Sequence, residues 1–224
     1  SQVTPEEFKS LYSRLISEGN DILSIHISGK LSGTLDSAVQ AKRAFPNAKI
    51  ELVDSNSTSM ALGFQVLSAA RMAETGASLE ECKTVAAEAA KRSGVYFALS
   101  TLEFLHRGGR IGGAQAFLGN MLNLKPLLEI RDGRIEAIER VRTLAKATDR
   151  LLDLVEEKIK NESGPIRLCV VHANALKEAE NLLERSVRRF SPSLVTDAVL
   201  STVSPVLGTH AGPGALGLVY MAGM

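Results

Sequence analysis

Ile22-Leu23-Ser24-Ile25-His26-Ile27, then Leu31-Ser32-Gly33-Thr34, then a helical stretch from Leu35 to Ala44, is the part of the chain that decides the fold. A short apolar run that turns through small hydroxyl residues into a helix is the repeating unit of a parallel sheet covered by helices. The turn also leaves the first backbone N–H groups of the helix without intrahelical partners, and Ser32 and Thr34 add two hydroxyl donors beside them. Helix capping is the simpler role for these residues, because Ser and Thr are favoured N-caps and Gly permits the turn. The anion-binding reading requires the same cap to face a cleft, where the positive end of the helix dipole would help hold a charged head group.

Outward from this stretch the pattern repeats. Thr4 and Glu7 predict a capping box, with Pro5 at the first helical position and Phe8, Leu11, Tyr12, Leu15 and Ile16 at helical spacing up to Gly19. A strand over Ile50–Val53, a helix from Ser59 to Met72, a second capping box at Ser78 and Glu81, and a third strand over Val95–Leu99 complete an alternating first domain. After Gly119 the pattern changes. Lys125–Arg131 and Arg134–Val141 flank Asp132-Gly133, a strong two-residue hairpin signal. A helix carrying Leu144, Leu151, Leu152, Val155 and Ile159, a strand over Ile166–Val171, a helix carrying Ala179, Leu182, Leu183 and Val187, and strands near Val195–Val203 and Leu216–Met221 follow. The predicted architecture is a parallel-sheet α/β domain over residues 1–120, then an α+β domain with an antiparallel sheet over residues 121–224, with the ligand between them and the boundary near residues 118–126.

Composition narrows the function. The 224 residues carry a net charge of +1, no Trp and few Tyr or Phe, which disfavours phosphate-coating or base-stacking contacts with nucleic acid. Cys82 and Cys169 fall inside a predicted helix and strand as buried thiols, which suits a reduced, cytoplasmic setting. No apolar run approaches the ~20 residues of a membrane span, so no stable membrane insertion is expected. His26 and His172 lie in predicted strands away from Cys or carboxylate at ligand spacing, so no metal site is expected.

Two further constellations carry chemistry. In Gly208-Thr209-His210-Ala211-Gly212-Pro213-Gly214, glycines around one His predict a loop that a ligand can approach closely. His210 could donate to a carboxylate, or act as base toward Ser32 in a hydrolase or acyl-transfer enzyme if Asp36 or Asp54 oriented it. Leu105-His106-Arg107-Gly108-Gly109-Arg110-Ile111-Gly112-Gly113 is Gly-rich and basic, yet it lacks the Gly-Lys-Ser/Thr of a P-loop and does not follow the first strand. From His106 to Arg150 nine Lys/Arg stand against five Asp/Glu, a local excess that could steer an acidic partner or simply be solvated surface. Met60, Phe64, Phe117, Leu118, Met121, Leu122 and Leu124 read as core, or as the wall of an apolar tunnel.

Taken together, four ordered blocks resemble the DegV family of bacterial fatty-acid-binding proteins. They are Ile27-Ser28-Gly29-Lys30-Leu31-Ser32-Gly33-Thr34, Val53-Asp54-Ser55 with Ser59-Met60-Ala61-Leu62-Gly63, Arg107-Gly108-Gly109-Arg110-Ile111, and Gly208-Thr209-His210 with Gly212-Pro213-Gly214. The resemblance covers essentially the whole chain. It implies a two-domain protein without a cofactor that encloses one long-chain fatty acid, its carboxylate held by Ser32 and His210, with Ser28, Gly33, Thr34 and Thr209 beside them and Met60, Phe64, Phe117 and Met121 along the tail. It also implies a non-catalytic carrier that hands the fatty acid to a separate ATP-dependent kinase for acyl phosphate formation, with Arg107, Arg110 and Arg142 as docking residues. Family members usually carry a preceding strand segment ending in Thr-Ser-Gln, whereas this sequence starts at Ser1-Gln2, and Gly29 stands where a second Ser is common.

Overall fold

The computed structural model describes residues 2–117, 124–162, 164–190 and 193–224. The chain divides into two compact units, Ser1–Lys91 and Arg92–Met224.

The first unit opens with α1 (Pro5–Ser17), started by the predicted capping box: the Thr4 hydroxyl accepts from the Glu7 amide while the Glu7 carboxylate reaches back to the Thr4 amide. β1 (Ile22–His26) and β2 (Ile50–Asp54) pair in parallel, from Ile22 opposite Ile50 to His26 opposite Asp54. α2 (Thr34–Lys42) is the crossover between them, followed by α3 (Ser59–Glu74) and α4 (Leu79–Arg92), the last begun by the Ser78/Glu81 box. Phe8 and Tyr12 of α1 bury against Ala38 and Ala41 of α2 and against Ile22 and Ile50 of the strands. The alanines set the packing distance: with no side chain beyond Cβ, α2 can lie close enough for the two aromatic rings to fill the space.

The second unit is built on one six-stranded sheet, in the order β5-β4-β3-β8-β6-β7. Its strands are β3 (Ser93–Ala98), β4 (Lys125–Arg131), β5 (Arg134–Val141), β6 (Ile166–His172), β7 (Val195–Thr202) and β8 (Leu216–Ala222). The β4–β5 hairpin turns at Asp132 and Gly133, both at positive φ as the Asp-Gly signal requires. α6 (Leu144–Ile159) and α7 (Leu176–Arg189) cover the sheet, placing Leu151, Leu152, Val155 and Leu182 against Leu168, Val170 and Leu218 in one apolar core. α5 (Glu103–Arg107), a short 3-10 segment at Gly112–Phe117 and α8 (Pro205–Ala211) complete the unit.

Three expectations change. The strand over Val95–Leu99 joins the second sheet, antiparallel to both β4 and β8, so the compact second unit starts at Arg92 rather than near residue 121. The cause is that α4 runs directly into β3 with no linker, and a short apolar strand carries no record of its partner. The second sheet is mixed rather than antiparallel, because β6 and β7 are joined by the α7 crossover and pair in parallel. Finally, Pro205–Ala211 is helical where a loop is expected through Gly208. Pro205 sits in the first turn, and the Ser204 hydroxyl caps the Leu207 amide at 3.3 Å.

Candidate functional site

The residues of interest in the first unit lie just beyond the C-terminal ends of its parallel strands, where open α/β sheets bind ligands. After β1 the chain enters a tight turn: the Leu31 and Ser32 amides both donate to the Ser28 carbonyl, at 2.9 and 3.1 Å, and the Lys30 amide donates to Ser28 Oγ at 3.2 Å. Ser28 itself is fully buried. Gly33 is the N-cap of α2 and offers no side-chain cap, so Ser32 stands one residue before the N-cap. Ser32 Oγ accepts the Thr34 amide at 3.2 Å and shares a 2.8 Å hydrogen bond with Thr34 Oγ1. That pair holds two hydroxyl protons and uses one between its own oxygens. The other is left to donate, at the positive end of a nine-residue helix.

Gln2 lies directly over this turn. A Cβ on Gly33 would collide with its side-chain amide, and Gln2 Nε2 reaches Ser37 Oγ at 3.5 Å. Asp54, at the end of β2, accepts the Gly29 amide at 3.2 Å and the Asn56 amide at 2.8 Å, so its carboxylate ties the two strand-end turns together. Neither Gln2 nor Asp54 stands out in the sequence as a turn-holding residue. An Asp immediately after a short apolar run is the signal that finds the second.

In the second unit, His210 lies in the last turn of α8, half-buried, with Nδ1 buried and, among the described residues, without a hydrogen-bond partner. Its ring rests on Gly108, where a Cβ would overlap Nδ1, so the first glycine of the basic loop admits the imidazole. Arg110 braces the same loop by donating from Nη1 to the Gly108 carbonyl at 2.8 Å. Burial, and then the positive charge of Arg110, hold the His210 imidazole below its ordinary pKa and favour the neutral ring. Thr209 is exposed and spends its hydroxyl proton on the Val206 carbonyl at 2.7 Å.

The other predicted positions vary. Phe64 is 1% exposed, Met60 is half-buried with its sulfur against Gly63, and Phe117 lies under the Arg140 guanidinium at 4.9 Å from the ring centroid. Met121 lies outside the described residues, as do Leu118 and Leu122. Arg107 is exposed and ion-paired with Glu103 at 2.6 Å, and Arg142 is exposed in the turn before α6. His26 and His172 are buried and locally satisfied, by Ser24 Oγ at 2.8 Å and by the Ala175 amide at 3.3 Å. Cys82 and Cys169 are free buried thiols, burial pushing Cys169 up to about 12. Among the described residues no group of three or more His, Cys, Asp or Glu could hold a metal ion, and no helix is long and apolar enough to cross a membrane.

These features define a two-unit α/β protein with a hydroxyl-lined strand-end turn in one unit and an unpaired histidine in the other. The chain belongs to the DegV family: the family model, described as "Uncharacterised protein, DegV family", matches residues 1–223. A DegV domain-containing protein of Streptomyces coelicolor is 42% identical over 220 residues, which span 98% of this chain and 76% of the relative. Among solved structures, a DegV family protein from Thermus thermophilus described as fatty acid binding is 37% identical, with a TM-score of 0.92 over 99% of this chain and 78% of that one. DegV from Bacillus subtilis, also described as a fatty acid binding protein, is 34% identical with a TM-score of 0.87, covering 99% and 78%.

Proposed function

We propose that this chain is a lipid carrier that binds one long-chain fatty acid and presents its carboxylate to a separate ATP-dependent kinase for acyl phosphate formation. The observation that carries the reading is the Ser32–Thr34 hydroxyl pair, with its one uncommitted proton beside the start of α2. Relatives described as fatty acid binding supply the ligand class. Ser32 and Thr34, with Ser28 and Gly33 shaping their turn, and His210 with Thr209 in the second unit are the residues we assign to the carboxylate. Met60, Phe64 and Phe117, together with Met121, are those we assign to the tail.

The energetics suit a carrier. Burying about fourteen methylenes at ~0.8 kcal/mol each gains roughly 11 kcal/mol gross, before ordering and desolvation costs. A carboxylate withdrawn from water unpaired costs several kcal/mol, so hydroxyl and imidazole donors are needed to hold and orient it. The serine-nucleophile alternative draws less support. Ser32 Oγ bonds to the Thr34 hydroxyl and amide, and Asp54, one candidate orienting acid, accepts the Gly29 and Asn56 amides. Arg107, Arg110 and Arg142 are the residues we assign to kinase docking. Reversing the charge of exposed Arg107 and Arg142 is expected to weaken kinase coupling while fatty-acid affinity holds; equal loss of affinity removes that assignment.

Native mass spectrometry of the purified protein, followed by extraction, tests the main reading. The expected result is one co-purifying long-chain fatty acid, and tighter binding of palmitate than of methyl palmitate. An empty protein that hydrolyses acyl esters, and loses that activity on Ser32→Ala, overturns it.

A further inference from the structure

Gln65 is fully buried in the middle of α3, on a face otherwise formed by Ala61, Phe64, Ser68 and Ala69. Its Nε2 donates to two carbonyls, Ser55 in the turn after β2 and Ala61 in its own helix, each at 3.1 Å. Among the described residues its Oε1 has no partner. Exchanging the oxygen and nitrogen does not relieve this, because it would set an acceptor against two carbonyls; the orientation is forced. A buried amide that leaves one acceptor unmet is a poor choice for stability alone, where an apolar side chain of the same length would serve. Its value has to lie in what the donor end holds.

That end starts a continuous chain of hydrogen bonds. Gln65 fixes the Ser55 carbonyl. Ser55 Oγ donates to the Ser57 carbonyl at 3.1 Å, and the Ser57 amide returns to Ser55 Oγ at 3.1 Å. The Ser57 carbonyl accepts the Ser28 amide at 2.8 Å, and the Ser28 carbonyl accepts the Ser32 amide at 3.1 Å. Ser32 Oγ then receives the Thr34 amide. Ser28, Ser55, Ser57 and Gln65 are all buried, so water does not compete along this route.

We propose that Gln65 is a positioning residue for carboxylate recognition: by clamping the Ser55–Ser57 turn to α3, it sets the place of the Ser28–Thr34 turn whose hydroxyls meet the ligand. The inference rests on the carboxylate assignment above, and the experiment separates the two. Palmitate and methyl palmitate share a tail and differ in the charged head group. In the wild-type protein, the Gln65 side-chain amide signal in a nitrogen-15 NMR spectrum is expected to shift on saturation with palmitate and to stay in place with methyl palmitate. In Gln65→Met, the preference for palmitate over methyl palmitate is expected to fall about tenfold, the scale of one weakened hydrogen bond to a charge. Methyl palmitate affinity should hold within about twofold, since no tail contact changes. The thermal midpoint is expected to stay close to wild type, because the variant exchanges one unmet acceptor, Gln65 Oε1, for another, the Ser55 carbonyl.

If wild type binds both ligands alike, the carboxylate assignment fails and this inference goes with it. If wild type discriminates and Gln65→Met discriminates equally, or loses both ligands in the same proportion, Gln65 is a packing residue only. Should the variant not fold, the wild-type NMR titration decides by itself: an unmoved Gln65 signal under saturating palmitate overturns the proposal.

Discussion

The two units bury polar groups in different ways. Of the ten buried polar side chains among the described residues, seven lie in the first unit: His26, Ser28, Ser37, Ser55, Ser57, Gln65 and Ser68. In the second unit the three are Thr148, Ser186 and His172, each closed on its neighbourhood. Thr148 and Ser186 hydrogen-bond back to carbonyls four residues earlier, and His172 accepts the Ala175 amide. In the first unit the bonds run between elements instead: Tyr12 of α1 to Ser24 of β1, Gln65 of α3 to the Ser55 carbonyl after β2, and the Ser28 amide after β1 to the Ser57 carbonyl. Large apolar side chains hold the second unit together, whereas polar links that must be satisfied one by one place the turns of the first. Packing therefore dominates the second unit, and buried polar links set the geometry of the Ser28–Thr34 turn in the first.

The largest expected effect breaks the comparison on the stability side. Leu151 is fully buried in the second-unit core, so Leu151→Ala removes a side chain and leaves a cavity, at about 2–5 kcal/mol. Denaturant unfolding followed by two probes, one in each unit, should show the loss in the second. An equal loss reported by a probe in the first unit removes the division drawn here.

Next comes the recognition side. Ser32→Ala takes away half of the hydroxyl pair and the acceptor for the Thr34 amide. Calorimetry should show palmitate binding weakened by about 1.5–3 kcal/mol, the worth of a hydrogen bond to a charge, with methyl palmitate unchanged and the thermal midpoint nearly so. A large drop in thermal midpoint with equal loss of both ligands would make Ser32 a folding residue.

How much of this the sequence discloses follows the same line. Both capping boxes, the Asp132-Gly133 hairpin and the periodic helices α1 and α6 are local events, decided by residues a few positions apart, and all are legible. Membership of β3 in the second sheet is a tertiary choice, which an apolar five-residue run does not encode. Helix α8 is hidden by Gly208, a poor helix former, although Ser204 and Pro205 announce its start. Among the proposed ligand residues, Ser32 and His210 are visible because hydroxyls and an imidazole among glycines are unusual. Gln65 is not visible: a Gln in a helix is ordinary until its burial and its two carbonyl partners are known.

The polar links of the first unit also predict a pH response. Tyr12 donates to Ser24 Oγ at 2.8 Å, and Ser24 Oγ shares a 2.8 Å hydrogen bond with Nε2 of His26. Burial lowers the His26 pKa below 6.5, partly opposed by Asp54 opposite it in the sheet. A histidine whose folded pKa is depressed binds fewer protons folded than unfolded, so its contribution is complete above pH 6.5 and is lost as pH falls from there through the folded value. The thermal midpoint of the first unit should therefore drop between pH 7.5 and pH 5. His26→Gln, which keeps an acceptor for Ser24 and does not titrate, should flatten that slope. An unchanged slope in the variant assigns the acid response elsewhere.

The smallest effect is expected where a first-unit link is polar but open to solvent. Lys83 of α4 meets Glu51 of β2 at 2.9 Å, with about a third of each side chain exposed (36% and 32%). The Lys83 hydrogen bond holds the Glu51 carboxyl below its ordinary pKa, so whatever the pair contributes is present at neutral pH and fades as acid protonates Glu51. Water and ions reach this pair, unlike the Gln65–Ser55 link, and the Debye length contracts to ~3 Å at 1 M salt. Lys83→Met should accordingly lower the thermal midpoint slightly in dilute buffer and not measurably in 1 M sodium chloride, with palmitate affinity unaffected in both. If the deficit persists at high salt, the lysine stem is packing against the sheet, and the contrast between buried and exposed polar links in this unit is weaker than the geometry of Gln65 and Lys83 indicates.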